Sequence, residues 1–479
     1  FQQIYPPVIA VTISELEPII NEYGLPLHVV FKSNIREQAD SFKAVANKYY
    51  PETMICFAVK SNPCLGAVRA MKELDLGVDA VSVYELDAAL KTGISPNKIV
   101  CNGNAKTDEY LQKCLLNEVL IAADCTEELE VIDNIANKLQ IKARTMLRVS
   151  RMPLEGYTTS DQTTASAWTK FGFPYNEIED VLKLVKNLPW IEYCGVSAHI
   201  GTQICELNGY VTLMNHLLML IRTAEHIGMP TRFVDIGGGF PISYISRFEW
   251  ENFTVKLGKQ LDSELSFDKS VSWDDTPMGY EHLKGSGKLY PGDWRGKAYW
   301  SHHPGSNMLE SLLISKSDNG KNFIQRLREL DSPTLIVEPG RSLIGPAGIT
   351  VAKVVAVKKV LGNWVIMLDM GIVNHGTNLI SADIYPMKVL PEKLSDEPVE
   401  AFLGGRLCFT GDMISKVKIK INRLPVRGEM VVIYHTGAYC ADHFSSNSCG
   451  YPQPAKIAIG NRGNIEVWRL GQEFSDVFK

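Results

Sequence analysis

Short apolar runs recur along the first two thirds of the chain, each closed by a polar or glycine-rich break. They are Met54–Val59, Val78–Ser82, Ile99–Asn102, Val119–Ala123, Arg144–Val149, Tyr193–His199, Phe233–Ile236 and Leu335–Glu338. Runs of this length without polar alternation read as strands buried on both faces. Between most of them lie segments with helical spacing of apolar residues: Gly66–Leu74, Tyr84–Lys91, Asp108–Asn117, Glu127–Leu139, Tyr175–Asn187 and Gly209–His226. Strands alternating with helices pair in parallel through βαβ units. Eight such units predict an α/β fold of the TIM-like (β/α)8 barrel type.

After residue 345 the rhythm changes. Ile349–Val360, Asn363–Asp369, Val417–Ile421, Glu429–Tyr434 and Lys456–Ile459 read as strands without regular helices between them. The expected organisation is therefore an N-terminal arm (1–30, with a helix at Ser14–Tyr23 and a strand at Leu27–Phe31), a barrel (31–345) and a C-terminal mainly-β domain (346–479). The arm is expected to join the β domain.

Barrel enzymes collect their chemistry at the C-terminal ends of the strands. Here those ends carry Lys60, Ser82 with Glu85, Asn102, Asp124, Arg148, His199, Gly237-Gly238-Gly239 and Glu338. A lysine closing a buried strand can be held partly out of water, which favours its neutral, nucleophilic form. It can equally end the strand and reach to solvent. Three glycines after the seventh strand let backbone amides approach a phosphate. Glu338 ends the eighth strand, with Arg341 close behind as a phosphate clamp. Taken together, a strand-end lysine, a glycine cradle and a strand-end carboxylate point to pyridoxal 5'-phosphate (PLP). The lysine would hold the aldehyde, the glycines the phosphate, and the carboxylate the ring nitrogen.

Composition narrows the setting. With 479 residues, 45% hydrophobic and 22% charged, the chain is sized for two domains. A net charge of −5 makes no electrostatic case for nucleic acid. No apolar run approaches the roughly 20 residues a membrane helix needs. The ten cysteines are scattered without a C-x-x-C pair, which fits reduced thiols in a cytoplasmic protein. The opening Phe1-Gln2-Gln3 shows no signal-peptide pattern, and a few residues are expected to precede it. The pairs Asp274-Asp275 and His302-His303 are read as surface residues, and no metal is expected.

The motifs F-A-V-K-S-N (57–62), D-x-x-S-x-x-E (79–85), H-I-G-T (199–202), D-I-G-G-G-F-P (235–241), E-P-G-R (338–341), G-x-L-C-x-x-x-D (405–412) and G-A-Y (437–439) span most of the chain. In these the chain resembles the PLP-dependent ornithine/diaminopimelate/arginine decarboxylases, built on an alanine-racemase-like barrel with a β domain. The resemblance implies decarboxylation of the α-carboxylate of an amino acid or amino-acid conjugate. It implies that Lys60 forms the Schiff base, His199 stacks on the pyridine ring and Glu338 pairs with the ring nitrogen. Gly237, Gly238, Gly239, Arg341 and Tyr439, with Thr202, would bind the phosphate. Asp79 and Glu85 would lie near the Schiff base, and Arg148 would support the site. Cys408 would protonate the carbanion from the other subunit of a homodimer with shared active sites. A carboxylate at the ring nitrogen favours decarboxylation; a racemase or epimerase on the same fold, or a non-catalytic relative, are the alternatives.

Three features depart from that pattern. Phe409 follows the cysteine, where members acting on basic side chains carry an acidic residue; Asp412 and Asp383 are the remaining candidates to contact the substrate's distal group. Cys449, in Ser448-Cys449-Gly450-Tyr451, stands where the family has asparagine. The stretch between Gly239 and Glu338 is also far longer than one βα unit needs. Its residues 243–310 hold Trp250, Trp273, Trp294 and Trp300, half of the chain's eight tryptophans. This insert is expected either to form a lid or extra wall at the active-site face, or to bury its aromatics on the barrel's outer helices.

Overall fold

The computed structural model describes residues 9–153, 168–282, 289–291, 296–317, 320–376, 384–460 and 463–478. They form two compact units: Arg36–Pro241 with His303–Leu343, and the N-terminal segment to Ile35 with Ile242–His302 and Ile344 onward.

The first unit is the barrel. Its strands are Thr53–Ala58, Gly77–Ala80, Ile99–Cys101, Leu120–Ala123, Ala143–Ser150, Ile191–Ser197, Phe233–Asp235 and Thr334–Val337. Each pairs in parallel with the next in sequence, and the last returns to the first through Leu335–Thr53, Ile336–Met54 and Val337–Ile55. The eight strands are thus a closed parallel barrel. Cys56, Val100, Leu120, Ala122, Met146, Cys194 and Ile336 fill its interior. The surrounding helices bury one face each. Ile178, Val181, Leu182 and Val185 are the buried stripe of the Ile178–Val185 helix, at the spacing an amphipathic helix requires. Ser82 and Thr107 cap their helices by accepting the N–H of Glu85 and Tyr110.

The second unit is mainly β. The thirteen-residue strand Gly348–Val360 organises it, pairing antiparallel with Leu27–Phe31, Met430–Tyr434 and Asn363–Leu368. Leu27–Phe31 in turn pairs in parallel with Lys456–Ile459. Strands Met387–Leu390, Val399–Gly404 and Ile465–Arg469, with Met413–Ile421 beside Val399–Gly404, complete the sheet. The first three were not read from the sequence, since each is only four to six residues long and carries a charged residue within it (Lys388, Glu400 and Glu466).

Residues 242–302 of the insert fold with the β unit. Tyr244, Phe253, Leu257, Val271, Met278, Tyr280 and Tyr299 are buried in one cluster with Ile366, Leu368, Tyr385, Ile414 and Ile419 of the β unit. Trp250 lies 5.7 Å from Phe253 and 5.9 Å from Tyr299, ring to ring. A backbone bond from Lys418 to the Val271 carbonyl (2.8 Å) ties the segment to the strand Met413–Ile421. The aromatic richness therefore supplies the β unit's core, where each buried ring is worth roughly 1.5–3 kcal/mol. Trp294 lies outside the described residues. No helix among the described residues is long and apolar enough to cross a membrane.

Candidate active site

The first barrel strand ends at Ala58, so Lys60 is not at its tip as read from the sequence. It sits in the 3-10 turn Val59–Ser61 that follows. Ser61 Oγ donates to the Ala58 carbonyl (2.8 Å) and Asn62 N–H to that of Val59 (2.9 Å). Pro63 then bars any continuation of the strand. Gly340 packs against this turn, where an added Cβ would meet Ser61 Cβ at 3.0 Å. The turns bearing Lys60 and Glu338 are thereby held together.

The strand ends enclose a cavity of about 400 Å³ lined by Lys60, Asp79, Asn102, Arg148, Phe171, Ser197, His199, Asp235 and Glu338, among others. Lys60 Nζ is 2.5 Å from Asp79 Oδ2, and Asp79 is fully buried. Asn102 Nδ2 donates to Asp79 Oδ1 (2.8 Å) and to Glu338 Oε1 (2.7 Å). Burial, then the nearby charges of Asp235 and Asp79, holds the Glu338 carboxyl well above the usual range. Burial likewise pushes Asp235 up to about 7. Both carboxyls are thus biased toward their protonated forms. Arg148 lies 3.6 Å from Asp124 and sits 4.3 Å over the Phe171 ring.

His199 accepts the Gly238 N–H at Nδ1 (3.1 Å). Burial, with the charges of Lys60 and Arg148, lowers its pKa to about 3, so the ring is a neutral imidazole. The glycine run is dictated by close approach. A Cβ on Gly237 would meet His199 Nδ1 at 2.7 Å, one on Gly238 the Glu338 carbonyl at 2.5 Å, and one on Gly239 the Gly201 carbonyl at 2.5 Å. Gly237 and Gly239 also adopt φ of +68° and +89°, which glycine reaches without strain. The expected cradle needs correction, however. The Gly237 N–H donates to Asp235 Oδ1 (2.8 Å) and the Gly238 N–H to His199, so the first two glycine amides already have partners in the barrel. Tyr210 OH locks the loop further through the Gly238 carbonyl (2.8 Å). Arg341 is buried at the start of the short helix Arg341–Ile344.

Not every expected residue joins the cavity. Glu85 Oε2 accepts the Val81 N–H (2.8 Å) and closes the N-terminus of its own helix; burial pushes it up to about 7. Thr202 lies in the turn beyond His199, and the cavity walls do not include it. Cys408, Phe409, Asp412 and Tyr439 belong to the β unit. Cys408 is exposed and Phe409 is 54% exposed. Tyr439 adopts φ +64° with its ring 5.2 Å from His443. Asp412 differs from the expectation of a substrate contact. It is buried, and its Oδ1 and Oδ2 accept the N–H groups of Ile372 and Leu407, each at 2.6 Å. Asp383 lies outside the described residues.

Sequence reasoning gave no role to Asp235, Ser197, Phe171 or Tyr210. Asp235 stood inside the D-I-G-G-G motif, which was the one available signal. The other three depend on contacts that only the closed barrel creates.

The residues fit PLP. A buried Ser197 Oγ in the wall has no hydrogen-bond partner among the described residues and is available to a bound group. A lysine amine, a flat neutral imidazole and a proton-retaining carboxyl border the same space. Fold and site thus define an α/β-barrel enzyme of the PLP-dependent class. The sequence comparisons narrow this. Residues 32–271 match the family model described as pyridoxal-dependent decarboxylase, pyridoxal binding domain, and the chain belongs to this family. It is 26% identical to a diaminopimelate decarboxylase of Aquifex aeolicus, over 96% of this chain and 92% of that one. It is 27% identical to one of Staphylococcus aureus, over 93% and 90%. In fold it is similar to a crystal structure of diaminopimelate decarboxylase from M. jannaschii, with a TM-score of 0.74 at 20% identity, covering 96% of this chain and 92% of that one. It is also similar to the lysine/ornithine decarboxylase of Vibrio vulnificus, with a TM-score of 0.67 at 18% identity, covering 94% and 99%. PLP is the cofactor, and the chain is a carboxy-lyase that removes the α-carboxylate of an amino acid.

Proposed function

We propose that the barrel cavity holds PLP through Lys60 Nζ, and that the substrate is an amino acid or amino-acid conjugate whose distal end is not read as a simple ammonium group. When bound, PLP supplies an electron sink for the pair of electrons left by CO2. Asp79 orients Lys60 Nζ. His199 offers its neutral face to the ring, adding no positive charge to compete with a protonated ring nitrogen. Glu338 would pair with that nitrogen. Arg341 and Gly239 would hold the phosphate. After CO2 leaves, Cys408 Sγ delivers one proton to Cα, a modest task for a thiol whose ordinary pKa is near 8.5. Cys408 is assigned to the partner subunit's site in a homodimer, which makes the dimer necessary for turnover. The ten free cysteines favour a cytoplasmic, reducing setting.

The observation that carries the substrate reading is Asp412. Both its oxygens are consumed by backbone amides, and the neighbour of Cys408 is the half-exposed ring of Phe409. A substrate ammonium near this loop would find an aromatic face in place of a free carboxylate. The test is CO2 release across meso-diaminopimelate, lysine, ornithine, arginine, aromatic amino acids and amide-linked amino acids, with Cys408→Ala as control. Fastest release from neutral or conjugated substrates is expected. A kcat/KM highest for a free diamino acid would overturn the substrate assignment. Retained α-carboxylate with α-proton exchange would overturn decarboxylation itself.

A further inference from the structure

Asn102 stands one residue beyond the Ile99–Cys101 strand, and its N–H donates to the Ala80 carbonyl (2.8 Å), which fixes its backbone at the barrel mouth. Its side chain is buried, and both contacts of Nδ2 are carboxylate oxygens, Asp79 Oδ1 and Glu338 Oε1. The amide orientation follows from chemistry: turned over, its oxygen would face the buried Asp79 carboxylate that pairs with Lys60. One NH₂ group thus spends its two hydrogens on two acidic groups that line the cavity.

Two consequences follow. With Oε1 of Glu338 occupied as an acceptor, a proton on Glu338 resides on Oε2. With Oδ1 of Asp79 occupied, Oδ2 is the oxygen turned to Lys60 Nζ. Asp235 is held in the same manner, since its Oδ1 takes the Gly237 N–H. Three carboxylates share this low-dielectric space, where each unmatched acceptor is costly. Asn102 is the neutral donor that lets two of them sit close together.

We propose that Asn102 is a positioning residue of the decarboxylase site: by donating one amide hydrogen to Asp79 and the other to Glu338, it fixes the oxygen each presents to the cofactor. This rests on the assignment of Lys60 and Glu338 to the two ends of PLP. Asn102 itself touches no reacting atom.

The test uses Asn102→Asp, which keeps the shape and reverses the donor, and Asn102→Leu, which keeps the size and removes it. Asn102→Ser, which keeps one donor, serves if either fails to fold. In cofactor-free protein, the rate of Lys60 carbamylation by cyanate is followed against pH by peptide mass. Loss of the donor leaves the Asp79 charge to act on Lys60 alone, which strengthens its hold on the ammonium, so the labelling curve should move to higher pH by about one unit. In holoenzyme, the pH midpoint of the visible absorbance should move as well. Turnover should fall on the order of tenfold to a hundredfold with KM little changed. Variants that keep the wild-type labelling curve and absorbance midpoint, and lose activity only as they lose folded protein, would overturn the proposal. Borohydride trapping of the cofactor in wild-type protein separates the two levels. Trapping away from Lys60 sinks the site assignment; trapping on Lys60 with unchanged curves sinks the role of Asn102.

Discussion

Asp412→Asn separates a residue that reads the substrate from one that holds the Cys408 loop. The carboxylate accepts two backbone N–H groups, from Ile372 and Leu407, at 2.6 Å each. It also fills the space over Gly405, where a Cβ would meet its Oδ2 at 2.2 Å. An asparagine keeps one acceptor and turns an NH₂ toward the other amide, whichever way it is placed. One hydrogen bond to a charged acceptor is lost, worth about 1.5–3 kcal/mol, and a donor is set against a donor. Local opening of residues 405–412 should therefore become roughly tenfold to a hundredfold more populated. Hydrogen–deuterium exchange of the peptide spanning 405–412 measures this directly. The expected result is faster exchange there, together with a fall in kcat that is the same for every substrate, because Cys408 is less well placed. A wild-type exchange rate combined with a KM rise confined to cationic substrates would refute the reasoning and return Asp412 to the substrate pocket.

Burial lowers the pKa of His435 to about 4, and its ring packs 5.9 Å from Tyr244. The unfolded chain then binds a proton that the folded one refuses, so this stability is complete above about pH 6.5 and is lost as pH falls toward 4, at about 1.4 kcal/mol per pH unit. Urea unfolding at pH 7 and pH 5 should show a smaller difference in His435→Gln than in wild type; equal differences would exclude this histidine. Tyr280→Ala removes a buried ring packed on Phe253 at 5.8 Å, and should cost about 3–5 kcal/mol by denaturant titration, whereas an unchanged midpoint would mean the segment 242–302 is peripheral. Cys449 holds φ +56°, a left-handed conformation asparagine tolerates better, so Cys449→Asn should raise stability by roughly 0.5 kcal/mol in a thermal melt. A lower midpoint would show that the thiol has a packing role.

Much of the barrel was legible in the linear order of residues. Its eight strands begin and end within two or three residues of the apolar runs, because a strand buried on both faces must be continuously apolar and its exit must be polar. The strand-end rule likewise brought Lys60, Asn102, Arg148, His199 and Glu338 to one list before any contact was known. Local sequence carries such information, since it depends on period and on where an element stops. What the sequence left open concerns partners. The aromatics of 242–302 announced a core without saying which, and burial against Ile366, Tyr385 and Ile414 was decided by how distant strands meet. Asp412 read as a substrate-site carboxylate, yet backbone amides at Ile372 and Leu407 bond its two oxygens, and one oxygen of Glu85 goes to the Val81 amide. The first two amides of the glycine loop turned inward to Asp235 and His199 for the same reason. A polar residue's identity states what it can bond; the tertiary structure decides with whom, because buried donors and acceptors must be satisfied by whatever the fold places beside them.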